Sequence, residues 1–213
     1  MTIDLEDLLN SIKGSLDRIE YIRTEDIPDI DLYVDQVTTF METHLKKTTR
    51  DPDGDKILTK TMINNYAKND LLPPPVKKKY SKDHVLLLIF IYYYKGILSI
   101  SDIQELLKPI TEHFFGGGED YDLSRVYEEV FGLERKQRDV LKADVEEKFR
   151  IAQETTFEDA PEEDREFLKI FSFICMLSFD VYVKKLLIEK MIDGFADRRG
   201  AEKRKKGKNQ EEE

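Results

Sequence analysis

Pro73, Pro74 and Pro75 stand in a row, and this triplet constrains the fold of the 213-residue chain more than any other stretch. Proline lacks the N–H that a helix needs, and its ring clashes with the carbonyl four residues back. It also pushes the preceding residue toward extended backbone. Any helix entering the triplet must therefore stop before it, and the chain must travel extended before a new helix begins. The stretch around it, TKTMINNYAKNDLLPPPVKKKYSKD over residues 59–83, predicts both halves of that path. A short helix is expected from Thr59 to about Asn69. Ser81 is a suitable N-cap for a strongly apolar helix over Val85 to Tyr94, whose end is marked by Lys95 and Gly96. Leu71 and Leu72 return to the core in between, and Lys77, Lys78 and Lys79 crowd the far side of the excursion. The order is helix, basic wing, helix.

Charge sets this stretch apart. The chain carries a net -10, whereas residues 59–83 carry six lysines against two aspartates. A uniformly acidic surface repels nucleic acid and anionic lipid, so a polyanionic partner has to be met locally. Stepping 100° per residue along the short helix places Met62, Ile63, Tyr66 and Ala67 toward a core. Thr61, Asn64, Asn65 and Lys68 fall together on the other side, with Lys60 at the flank. An amphipathic helix exposes polar residues whatever its role. These residue types are nevertheless the ones that hold phosphates or read base edges, and Asn meets adenine with two hydrogen bonds.

The remaining chain reads as helical. With 40% hydrophobic residues it can bury a real core. Apolar residues at three- and four-residue spacing predict helices over about 2–20 and 31–46, followed by a polar loop THLKKTTRDPDGDK. Ser99 and Ser101 offer caps to a further helix ending at Pro109, with Ser101 and Gln104 spaced as a capping box. The glycine run 116–118 marks a hinge and a domain boundary. Beyond it, helices are expected over about 121–152 and 161–197, the second opening with Pro161 and three acidic residues. From Phe167 to Phe195 this last helix is apolar around most of its circumference. That composition suits the centre of a bundle, a dimer seam or an apolar ligand pocket. The tail from Arg198 is expected to be disordered.

Chemistry-bearing motifs are missing from the text. His44, His84 and His113 show no metal-ligand spacing and read as helix-end and surface residues. Cys175, inside IFSFICMLSF, reads as a small core hydrophobe in a reducing compartment. No nucleophile elbow or zinc-protease pattern appears, and the paired acids read as solvated faces. Neither a catalytic group, a metal nor a cofactor is expected. The acidic N-terminus lacks a signal-peptide pattern, and the longest uncharged apolar run, Ile170 to Phe179, is too short to span a bilayer. A cytoplasmic protein without membrane contact is the expectation.

The spaced residues N-x-Y-x-K-x-x-LLPPP-x-KKKYS-x-x-H-V, from Asn64 to Val85, with LSISDIQELL downstream, resemble the MerR-type winged helix-turn-helix. More closely, residues 21–110 resemble a family of small bacterial proteins, known only as a domain of unknown function and grouped with the MerR-like DNA-binding domains. The MerR pattern usually has arginine at Asn64 and tyrosine at Asn65, whereas Tyr66 and the basic Lys68 are kept. The resemblance implies a mainly all-α protein with a small β-wing. Its parts would be an N-terminal helix (1–20), a winged helix-turn-helix (21–115), a helical dimerisation or effector domain (119–197) and a basic-acidic tail (198–213). It implies a homodimeric transcription regulator of duplex DNA, a repressor given the altered activator features, with an unidentified small-molecule effector as a further partner. Lys60, Thr61, Asn64, Asn65 and Lys68 would face the duplex from the helix, and Lys77, Lys78, Lys79 and Tyr80 from the wing. The alternative is a protein–protein adaptor that keeps the scaffold and docks an acidic partner on the lysines.

Overall fold

The structure is a computed structural model that describes residues 5–17, 21–51, 54, 56–117 and 121–210. It is mainly helical: α1 (Leu5–Asp17), β1 (Leu32–Tyr33), α2 (Val34–Leu45), α3 (Lys60–Lys68), β2 (Lys79–Tyr80), α4 (Lys82–Tyr94), α5 (Ile100–Phe114), α6 (Leu123–Glu154) and α7 (Glu162–Gln210). Among the described residues the only sheet is the antiparallel pair β1–β2, with Leu32 opposite Tyr80 and Tyr33 opposite Lys79. No helix of the described residues is long and apolar enough to cross a membrane.

The chain divides into two compact units, one of residues 22–128 and 185–213, the other of residues 1–21 and 129–184. In the first, α4 is the central element. Its residues His84 to Ile91 are all buried, as befits a helix apolar on every side. Ile63 and Tyr66 of α3, Val37, Met41 and Leu45 of α2, and Ile103 and Leu107 of α5 complete the core. Tyr127 is fully buried, packs against Phe90 and donates its hydroxyl to the Ile22 carbonyl at 2.7 Å. In the second unit, Phe149 of α6 meets Phe173 of α7 edge to face, and Lys148 pairs with Asp180 at 3.0 Å. Lys13 of α1 pairs with Glu146.

Several local expectations change. The helix expected to end at Pro109 runs on to Phe114 with Pro109 inside it. One N–H is lost there, and the amphipathic stripe of Ile103 and Leu107 holds the helix in register. The cap of that helix is Ser99, whose hydroxyl accepts from the Asp102 N–H at 3.2 Å, while Ser99 N–H donates back to Asp102; the Ser101–Gln104 box does not form. α7 continues beyond the expected end at 197, to Gln210. Cys175 is exposed on α7 and not a core residue. The long stripe it was read into faces solvent along much of its length, and among the described residues of α7 only Phe173 and Ile192 are buried. His84 is also misplaced by the sequence: it is buried at 3% exposure, since α4 is enclosed from its first turn. Of the expected glycine hinge, Gly118 lies outside the described residues. Gly116 does adopt a left-handed φ of +62°, and its N–H donates to Asp83 at 2.7 Å.

Candidate nucleic-acid interface

α3 is fixed at both ends by local hydrogen bonds. The Thr59 hydroxyl accepts from the Met62 N–H at 3.1 Å, satisfying one of the orphan donors of the first turn. At the other end, Leu71 N–H returns to the Tyr66 carbonyl at 2.9 Å, and Asp70 takes φ +56°. This is the six-to-one Schellman arrangement, with an aspartate where glycine is usual. The helix is thus closed before the prolines, which then carry the chain outward.

Between those ends the two faces separate as the helical period requires. Ile63 is fully buried and Tyr66 is 8% exposed, and burial raises the Tyr66 hydroxyl pKa, which keeps it neutral. Lys60, Thr61, Asn64, Asn65 and Lys68 are all exposed. Lys60 is ion-paired with Asp35 at the start of α2, and Asn69 donates from its side chain to the Asn65 carbonyl at 2.8 Å.

The basic excursion is a two-residue hairpin. Val76 and Lys79 exchange backbone hydrogen bonds at 3.1 and 2.9 Å, and Lys77 and Lys78 form the turn between them. Both turn residues have positive φ, +50° and +65°, which is the type I′ geometry. Asn-Gly usually fills such a turn; here two exposed lysines do, with backbone strain that the flanking strand pair must hold. Lys79 sits over the Tyr33 ring at 5.3 Å, on the strand partner across the β1–β2 pair. Tyr80 is 2% exposed and packs edge-on against His84, so it belongs to the core that supports the hairpin and not to its surface.

His84 ties this region together. Its Nδ1 accepts from the Ser81 N–H at 3.0 Å, closing a capping box at the start of α4, and its ring also meets Phe115 edge to face. Because Nδ1 is an acceptor, the proton of the neutral ring is on Nε2. Burial lowers the His84 pKa. The carbonyls of Pro74 and Pro73 and the charges of Asp83 and Asp31 oppose that only in part.

A second basic element escaped the sequence. An open groove of about 850 Å³ runs between α2 and the start of α3, with Lys46, Lys47, Lys56 and Lys60 and a single carboxylate, Glu42, around it and Thr38, Thr39, Thr43 and Thr59 also lining it. The lysines are spread over a helix end, a loop and a helix start. No local pattern could have joined them. Ile57 and Leu58, both buried, anchor the returning loop, and Lys95 donates to the Ile57 carbonyl at 2.7 Å.

A family described as Domain of unknown function (DUF1836) matches residues 22–130. The match runs from before β1 into the first turns of α6, so α3, the lysine hairpin and the groove all lie within it. No curated protein and no solved structure matches the chain.

Proposed function

The chain belongs to the DUF1836 family, and we propose that it is a MerR-like, winged helix-turn-helix regulator of transcription that binds duplex DNA as a homodimer. In this reading α3 enters the major groove, with Thr61, Asn64, Asn65 and Lys68 toward bases and phosphates and Lys60 on the adjoining backbone. The hairpin of Lys77 and Lys78 is the wing and holds the flanking phosphates, with Lys79 at its base. The protein then works in the cytoplasm as a repressor and carries no catalytic role. A two-fold pair of subunits reads half-sites about one helical turn apart.

One observation carries the proposal. The exposed polar face of α3 and the strained lysine turn are both carried by elements packed on α2, in a chain whose net charge is -10. A strained, exposed, cationic turn in an acidic protein is a conformation kept at a cost, and phosphate contact supplies a reason for keeping it. The lysines of the groove add backbone contacts beside the helix start.

A gel-shift selection from a random duplex pool tests it. The wild type is expected to enrich a palindromic sequence, and Asn64→Ala with Asn65→Ala to bind with relaxed preference. Failure to retain any duplex, alongside lysine-dependent capture of an acidic peptide, would replace the regulator by an adaptor on the same scaffold.

A further inference from the structure

Phe167, Phe171, Ile174, Val181 and Tyr182 of α7 follow one another at steps of four, three, seven and one residues, and at 100° per residue they share one face of the helix. The opposite face is the covered one, where Phe173 is 3% exposed against Phe149 and Asp180 meets Lys148. The first face is bare: these five side chains are 64%, 51%, 52%, 61% and 65% exposed. With about 200 Å² for a full aromatic side chain and somewhat less for an aliphatic one, they present about 500 Å² of contiguous apolar surface. A standard interface buries about 800 Å² per partner, and homodimer interfaces are about 65% apolar. The apolar area on this face is what one side of such an interface needs.

We propose that the occupant of this face is a second copy of the chain, lying antiparallel with the two-fold axis between Ile174 and Cys175. The sequence is complementary to its own reverse at that register. Phe167 meets Tyr182, Phe171 meets the small exposed Ser178, and Ile174 meets Cys175. At the ends, the exposed Asp164 meets Lys185, which lies half-buried beside Glu189 at 3.6 Å. A parallel pair instead sets Asp164 against Asp164 and Lys185 against Lys185, and leaves Ser178 facing itself between large neighbours. Charge and side-chain size both select the antiparallel arrangement.

The pairing gives the homodimer proposed above a surface, but that surface contains no residue of α3 or the hairpin. Light scattering after gel filtration, without DNA and well above a micromolar Kd, is expected to give twice the chain mass. Phe171→Asp with Ile174→Asp is expected to give the monomer mass with unchanged helical circular dichroism, because both residues are exposed. In a Cys175→Ser background, Phe167→Cys with Tyr182→Cys is expected to cross-link on oxidation and Phe167→Cys alone is not. A monomeric full chain, or cross-linking through Phe167→Cys alone, overturns the proposal. Loss of DNA binding with the dimer intact strikes the regulatory reading instead, so the two failures are distinguishable.

Discussion

The hairpin tip offers a test in which stability and binding move in opposite directions. Lys77 and Lys78 both hold positive φ, +50° and +65°, without glycine's freedom. A left-handed conformation costs a residue with a Cβ about 1 to 2 kcal/mol. Replacing the pair by Lys77→Asn and Lys78→Gly installs the residues that a type I′ turn prefers. Glycine's greater unfolded-state entropy returns about 0.5 to 1 kcal/mol of the relief. The net expectation is about 1 kcal/mol of added stability, or a rise in Tm of about 2 to 4 °C for a chain of this size, read by thermal circular dichroism. The same change removes two lysines per subunit from the proposed phosphate contacts. The salt slope of duplex binding by a dimer should then fall by about three to four. Lys77→Gln with Lys78→Gln separates the effects, since it discharges the tip without relieving the turn; the slope falls and Tm stays put. A lower Tm for the Asn-Gly variant refutes the turn geometry. An unchanged salt slope in both variants refutes the role of the tip in holding phosphate.

Three further outcomes follow from the same region. Asp70→Gly, at φ +56° in the helix-closing position of α3, is expected to raise stability by about 1 kcal/mol in a urea titration, with unchanged m-value. Ile63→Ala removes a fully buried side chain and is expected to cost about 2 to 5 kcal/mol by the same measurement. His84 has a pKa lowered by burial, so below its ordinary value near 6.5 the unfolded chain takes up a proton that the folded one refuses. Stability is therefore full above that pH and is lost as pH falls from it toward the lowered folded value. His84→Gln is expected to flatten that loss in denaturation curves taken across the window; a curve equally steep in the variant shows that other groups carry it.

The parts of the fold legible in the sequence are those set by local periodicity. The buried and exposed faces of α3 follow from its helical spacing, and the end of α4 from Lys95-Gly96. Ser81 was recognisable as a cap for the same reason. What escaped depends on neighbours remote in sequence. Pro109 looks like a helix end until the packed stripe of Ile103 and Leu107 shows why the helix survives it. Cys175 and His84 exchanged places, one expected in the core and the other at the surface, because composition does not say which face of a helix is enclosed. Lys46, Lys47 and Lys56 join Lys60 only through the returning loop. The type I′ turn was hidden too, since Lys77-Lys78 lacks the Asn-Gly signal of that geometry.

The most direct test of the central claim is the salt dependence of duplex binding. Fluorescence anisotropy of a labelled duplex taken from upstream of the protein's own coding sequence would be titrated at a series of salt concentrations. With about four phosphates neutralised per subunit from Lys60, Lys68 and the hairpin, log K against log salt should fall with a slope of about seven for the dimer. Asn64→Ala with Asn65→Ala should weaken binding and leave that slope nearly intact. No binding at low salt, or binding with a slope near zero, would contradict the account.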